Sequence, residues 1–146
     1  MTYDIFNPPQ LGPAKGWNHA MLAPAGGRVL FIAGQTARRA DGTFAEGGFV
    51  EQFAAALDNV LVALEAAGGT PADIGRMSLY VTDVQAYRQS LKALGEVWRP
   101  RMGRNYPAMA LFGVTELVDQ EALIEIETTA VIPPSDDLDT PPPPQA

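Results

Sequence analysis

The chain of 146 residues contains no cysteine and a single histidine, His19. The first absence excludes a disulfide scaffold, a thiolate zinc site and a cysteine nucleophile, and it fits a reducing compartment. The second excludes a His-rich metal site, and no metal is expected. A serine–histidine triad would have to use His19, and the chain has no GxSxG turn to present the serine. Basic runs are also scarce, the longest being the pair Arg38-Arg39. The net charge is −7, and three acidic residues of the segment 133–146 leave −4 on residues 1–132. A nucleic-acid binder needs clustered Lys and Arg to neutralise phosphates, so no nucleic-acid partner is expected. No apolar run approaches the ~20 residues of a membrane span, and MTYDIFNPPQ lacks the basic start and apolar run of a signal peptide. A cytoplasmic protein with no membrane partner is expected.

What is present is globular. Apolar residues make up 47% of the chain and charged residues 18%, which supports one ordinary domain with a sizeable core. Residues 1–132 read as that domain. Residues 133–146 hold six prolines and three aspartates, and read as a disordered tail.

Residues 1–16 carry scattered Pro and Gly and read as an irregular lead-in. The runs 17–23 and 28–34 flank Pro24-Ala25-Gly26-Gly27, which predicts an antiparallel hairpin. The second run is almost continuously apolar, as in a strand covered on both faces. A short strand near Phe44 can follow the Asp41-Gly42 turn. Residues 48–67 carry the strongest helical pattern, with Phe53, Leu57, Val60, Leu61 and Leu64 on one face and Gln52 away from it. Gly68-Gly69 stops that helix, and Thr70-Pro71 opens a short turn. Residues 75–82 alternate as a strand. The Thr82–Gln85 spacing suggests a capping box for a second helix, with Tyr87, Leu91, Leu94 and Trp98 in its stripe and Pro100 ending it at Arg99. Residues 108–114 and 122–132 read as strands, the last with Ile124 and Ile126 facing one way and Glu125 and Glu127 the other. The result is an α+β domain, a mixed sheet with two helices packed on one face. The other face carries enough apolar residues to require solvent-shielding, by association with another subunit.

Polar residues in apolar surroundings narrow the chemistry to His19, Gln35, Glu125 and Glu127. Each has a plain structural reading. His19 serves as a cap beside a loop, Gln35 satisfies a strand end, and the two glutamates form a solvated face. The functional reading is a carboxylate at the rim of an interface cavity, fit for proton transfer.

Five segments then fall in one order: Gly34-Gln35 after an apolar strand, Gln52 through Asn59-Val60 to Leu64-Glu65-Ala66-Ala67-Gly68, Tyr80-Val81-Thr82-Asp83, Tyr106-Pro107-Ala108, and Ile124-Glu125-Ile126-Glu127. In order and spacing the chain resembles the Rid/YjgF reactive-intermediate deaminase family over roughly residues 10–132. The resemblance implies a chorismate-mutase-like α+β subunit, a homotrimer with clefts between subunits, and cofactor-free hydrolysis of small enamines and imines to ketones and ammonia. It implies that Glu125 holds water or relays a proton, and that Gly34, Trp17 and His19 line the cleft. Met109 stands where the family carries an arginine for the substrate carboxylate, Ala33 replaces a serine, and Leu91 an asparagine. Methionine offers neither charge nor donor. Either Arg99, Arg101 or Arg104 replaces the clamp, or the ligand has no carboxylate at that point. A small-molecule hydrolase, a trimeric binding protein that has lost the chemistry, and an RNA-directed protein are the three readings, and the acidic charge disfavours the last.

Overall fold

The structure is a computed structural model that describes residues 3–134; the proposed tail from residue 135 onward lies outside the described residues. Six strands and three helices form: β1 (Asp4–Phe6), β2 (Ala20–Leu22), β3 (Arg28–Gln35), α1 (Phe49–Ala66), β4 (Ile74–Val81), α2 (Val84–Gln89), α3 (Leu91–Met102), β5 (Ala108–Gly113) and β6 (Ile124–Ile132). The main sheet runs β3-β6-β4-β5, with β6 antiparallel to both neighbours and β4 parallel to β5. A mixed sheet covered by helices on one face is the chorismate-mutase-like α+β arrangement.

The alternation in β6 divides the sheet. Ile124, Ile126, Thr128, Ala130 and Ile132 are buried, and the odd-numbered residues between them face away from the core. On the covered side, Phe53, Leu57, Val60 and Leu64 of α1 pack into one cluster with Met77 and Leu79 of β4 and with Leu94, Trp98 and Met102 of α3. This is the stripe that the 3.6-residue period predicts. Gln52 departs from its expected place off that stripe. It is buried, with Nε2 donating to Glu121 O (2.9 Å) and Oε1 accepting from Leu123 N (2.8 Å), so α1 fastens the chain entering β6. A buried amide is tolerated because both its ends are paired.

Six local expectations are corrected. The 17–23 and 28–34 runs do not form a hairpin: β2 pairs with β1, and β3 with β6. The lead-in is correspondingly part strand. Tyr3 anchors it, its hydroxyl donating to Asp73 O (2.6 Å) and accepting from Val131 N (3.0 Å). Such long-range bonds leave no local pattern. The expected strand at Phe44 is only a bridge to Arg38. Asp83, not Thr82, caps the second helix, accepting from Gln85 N (2.9 Å) and Ala86 N (3.2 Å). That helix breaks at Ser90 into α2 and α3, and α3 continues through Pro100. Burial of Trp98 and Met102, four residues apart on one face, holds the last turn in place and outweighs the proline.

Candidate functional site

Glu125 lies on the open face, opposite Tyr80 of β4 and next to β3. Its neighbour across that second boundary is shaped by a bulge. Ile32 pairs with Thr128 but Gln35 with Ile126, so β3 spends one extra residue at Ala33-Gly34. A β-carbon at position 34 would lie only 2.8 Å from Glu125 Cδ. The Glu125 carboxylate occupies the space that a side chain would fill, so any residue larger than glycine there must displace it.

Beyond Gly34, the loop that follows β3 closes one cavity of about 500 Å³, bordered by Glu125, Gln35, Arg39, Asn59 and Asp119. Asn59 of α1 donates from Nδ2 to Thr36 O (2.8 Å) and Arg38 O (2.9 Å), fixing the loop. Arg38 forks onto Asp119, Nε to Oδ2 at 3.2 Å and Nη2 to Oδ1. Those hydrogen bonds hold the Asp119 carboxyl below the usual carboxylate range and the Arg38 guanidinium above its own. Arg39 spans to Phe44 O (2.8 Å). Both members of the basic pair are thus engaged within the loop.

A second cavity, about 490 Å³, opens at the other edge of the sheet between α3 and β5. Trp17, Tyr87, Trp98, Tyr106 and Met109 wall it, with Arg99 at the rim. Met109 lies beside the buried Met77, on the helix-covered side. Trp17 reaches it because Asn18 ties the 16–19 bend to the start of β5, its N–H donating to Pro107 O (3.2 Å) and Nδ2 to Tyr106 O (2.7 Å). His19 packs edge-on to Trp17, centroids 4.5 Å apart, and its Nε2 lies 3.0 Å from Gly12 O.

The structure therefore brings Gly34 together with Glu125, and Trp17 together with Met109, and it keeps the two pairs apart. Glu125 projects from the open face and Met109 from the covered one. His19 borders neither cavity, and Glu127 is exposed on the open face. Of the three arginines upstream of Met109, Arg101 is committed to Asp58 (Nε to Oδ1, 2.7 Å), Arg104 borders neither cavity, and Arg99 lines the Met109 cavity. Sequence reasoning missed Asn59 and Asp119, whose roles are tertiary, and read Trp98 only as core. No group of three His, Asp or Glu side chains among the described residues is arranged to hold a metal. No described helix is long and apolar enough to cross a membrane.

Comparison with known proteins bears on the family and the fold. The family model described as Endoribonuclease L-PSP matches residues 9–132. A RutC family protein of Pyrococcus horikoshii is 31% identical over 124 residues, 84% of this chain and 90% of that protein. Among solved structures, the conserved Rid-family protein YyfB of Yersinia pestis is 34% identical, with a TM-score of 0.79 over 90% of this chain and all of that one. A YjgF/YER057c/UK114 family member from Mycobacterium tuberculosis is 28% identical, with a TM-score of 0.58 over the same shares. By its family-model match and its relatives, the chain belongs to the Endoribonuclease L-PSP family, the group of Rid and YjgF proteins.

Proposed function

We propose that the protein is a cytoplasmic, cofactor-free hydrolase that deaminates a small reactive enamine or imine at clefts between the subunits of a homotrimer. The observation that carries this reading is the Glu125 carboxylate seated over Gly34, on a sheet face that the chain's own helices leave uncovered. Val29, Phe31 and Phe112 on that face are 57%, 80% and 48% exposed, an apolar surface that favours association. Packing a second subunit there offers a way for Glu125 of one protomer to meet the Trp17–Met109 cavity of the next. The resemblance to Rid proteins supports three subunits as the number.

In such a cleft, Glu125 takes a proton from water as its oxygen adds to the C=N carbon. Glu125 returns that proton to nitrogen to give the carbinolamine, then carries the carbinolamine's hydroxyl proton to the same nitrogen, and ammonia leaves as the C=O bond forms. One imine and one water give one ketone and one ammonia, with no electron acceptor required. The family description names an endoribonuclease, but RNA is the poorer substrate here. The chain carries −7, and the exposed Arg38 and Arg39 are hydrogen-bonded to Asp119 and to Phe44 O.

Ammonia release across a panel of enamines and imines, with and without a carboxylate, tests the reading. Glu125→Gln keeps the shape and removes the titrating group, so turnover should fall by about 10²-fold or more with assembly intact. Undiminished ammonia release by that variant would remove Glu125 from the site. Met109 in the place of the family's arginine favours a second reading, a trimeric small-molecule-binding protein, and ligand binding without turnover of any panel member would select it.

A further inference from the structure

The cavity beside Met109 has the wrong lining for a small acid held at position 109, and a specific lining for something larger. Its walls are aromatic, its volume of about 490 Å³ lies in the range of ligand sites, and no acidic side chain borders it. Its two formal charges, Lys15 and Arg99, are both positive in a chain of net −7. Arg38 and Arg101 are each paired with an aspartate, whereas Arg99 makes no ion pair among the described residues. Trp98 is only 8% exposed, and its unpaired Nε1–H is closed to solvent, so Trp98 offers the cavity its ring alone. Gly95 adds an independent sign. It sits inside α3 and lines the cavity, and a β-carbon there would meet nothing within 4 Å. Mid-helix glycine costs about 1 kcal/mol against alanine, so here the missing side chain only leaves room.

We propose that this cavity binds an arylalkyl carboxylate, the ring against Trp17, Trp98 and Tyr106, with Arg99 replacing position 109 as the carboxylate's partner. The inference rests on the reading above in assigning this cavity to the substrate, which then carries an aromatic side chain and a carboxylate.

Calorimetric titration of the full chain with 3-phenylpropanoate, 3-phenylpropanamide and propanoate tests it. The aryl acid should bind about 10-fold tighter than either the amide, which lacks the charge, or propanoate, which lacks the ring. Arg99→Met should bring the acid down to the affinity of the amide and leave the amide unchanged. Gly95→Leu improves the helix and fills the space, so it should abolish binding while the circular dichroism spectrum stays native. Equal binding of acid and amide, an acid preference that survives Arg99→Met, or unaltered binding to a folded Gly95→Leu protein each overturns the assignment. The probes contain no C=N bond. Failure here therefore bears on the cavity alone, and failure of the Glu125→Gln test bears on hydrolysis alone.

Discussion

The two faces of the main sheet are built from the same strands and follow opposite rules. On the covered face every β6 residue is buried, and α1 supplies Leu57, Val60 and Leu64 at full burial. On the open face Glu125 sits beside Tyr80, Phe112 stacks on Tyr80 at 5.6 Å, and Phe31 is largely in solvent. One face spends its residues on close packing, which tolerates no gap. The other combines a carboxylate with uncovered aromatic surface, a combination that a protomer has no structural use for. The lesson is that the two-residue period of a strand sends neighbours to unlike surroundings: Ile126 into the packed core and Glu125 onto the open face.

Substitutions can sharpen that division. The largest stability effect should come from the covered face. Leu57→Ala leaves a cavity among fully buried neighbours, and denaturant unfolding should show a loss of about 2–5 kcal/mol. Gly34→Ala should match the activity loss of Glu125→Gln, because the new methyl displaces the carboxylate, and its unfolding midpoint should stay close to wild type; full activity would contradict the close approach. Phe31→Asp should act on association. Light scattering of the wild type is expected to give three times 15.6 kDa and that of the variant a smaller species, with native helix content in both. If Phe31→Asp leaves the mass unchanged, the open face is not where subunits meet.

The smallest effect concerns the loop beside Glu125. Hydrogen bonds from Arg38 lower the Asp119 pKa, so the contribution of this pair is complete above the ordinary carboxylate value of 3.8 and is lost as pH falls through the lower folded value. The gap in Tm between wild type and Asp119→Asn should be constant from neutral pH to about pH 5 and close under more acid conditions. A gap that widens on acidification would contradict the sign. Both side chains are partly in solvent, so the gap should be small.

Patterns carried by periodicity were readable from the sequence: the α1 stripe, the alternation of Ile124 to Glu127, and the strands at 75–82 and 108–114. Glycine and proline signals placed the stop at Gly68 and the turn at Thr70-Pro71, where Asp73 closes the cap onto Thr70 N at 2.7 Å. What was not readable depends on contacts distant in sequence. Tyr3 holds the first strand across to Val131, and packing of Met102 outvotes Pro100. The candidate site shows the same split. Glu125 and Gly34 could be named from motif and resemblance, but that Met109 lies on the other side of the sheet follows only from the register of β5 against β4. Trp98 satisfied a helical stripe perfectly well, and its unpaired N–H has no signature in sequence.

The strand order has a consequence for synthesis on the ribosome. β6, the last strand made among the described residues, is the partner of both β3 and β4, and β3 has no other described neighbour in the main sheet. Until residues 124–132 have been translated, α1 has been made with half of its floor missing, and the apolar edge of β3 waits with nothing to pair. Native pairing of long sequence separation is slow, and exposed strand edges in the interval invite aggregation. A ribosome stalled before Ile124 would therefore hold a chain that has nearly all of its apolar residues and cannot yet bury them.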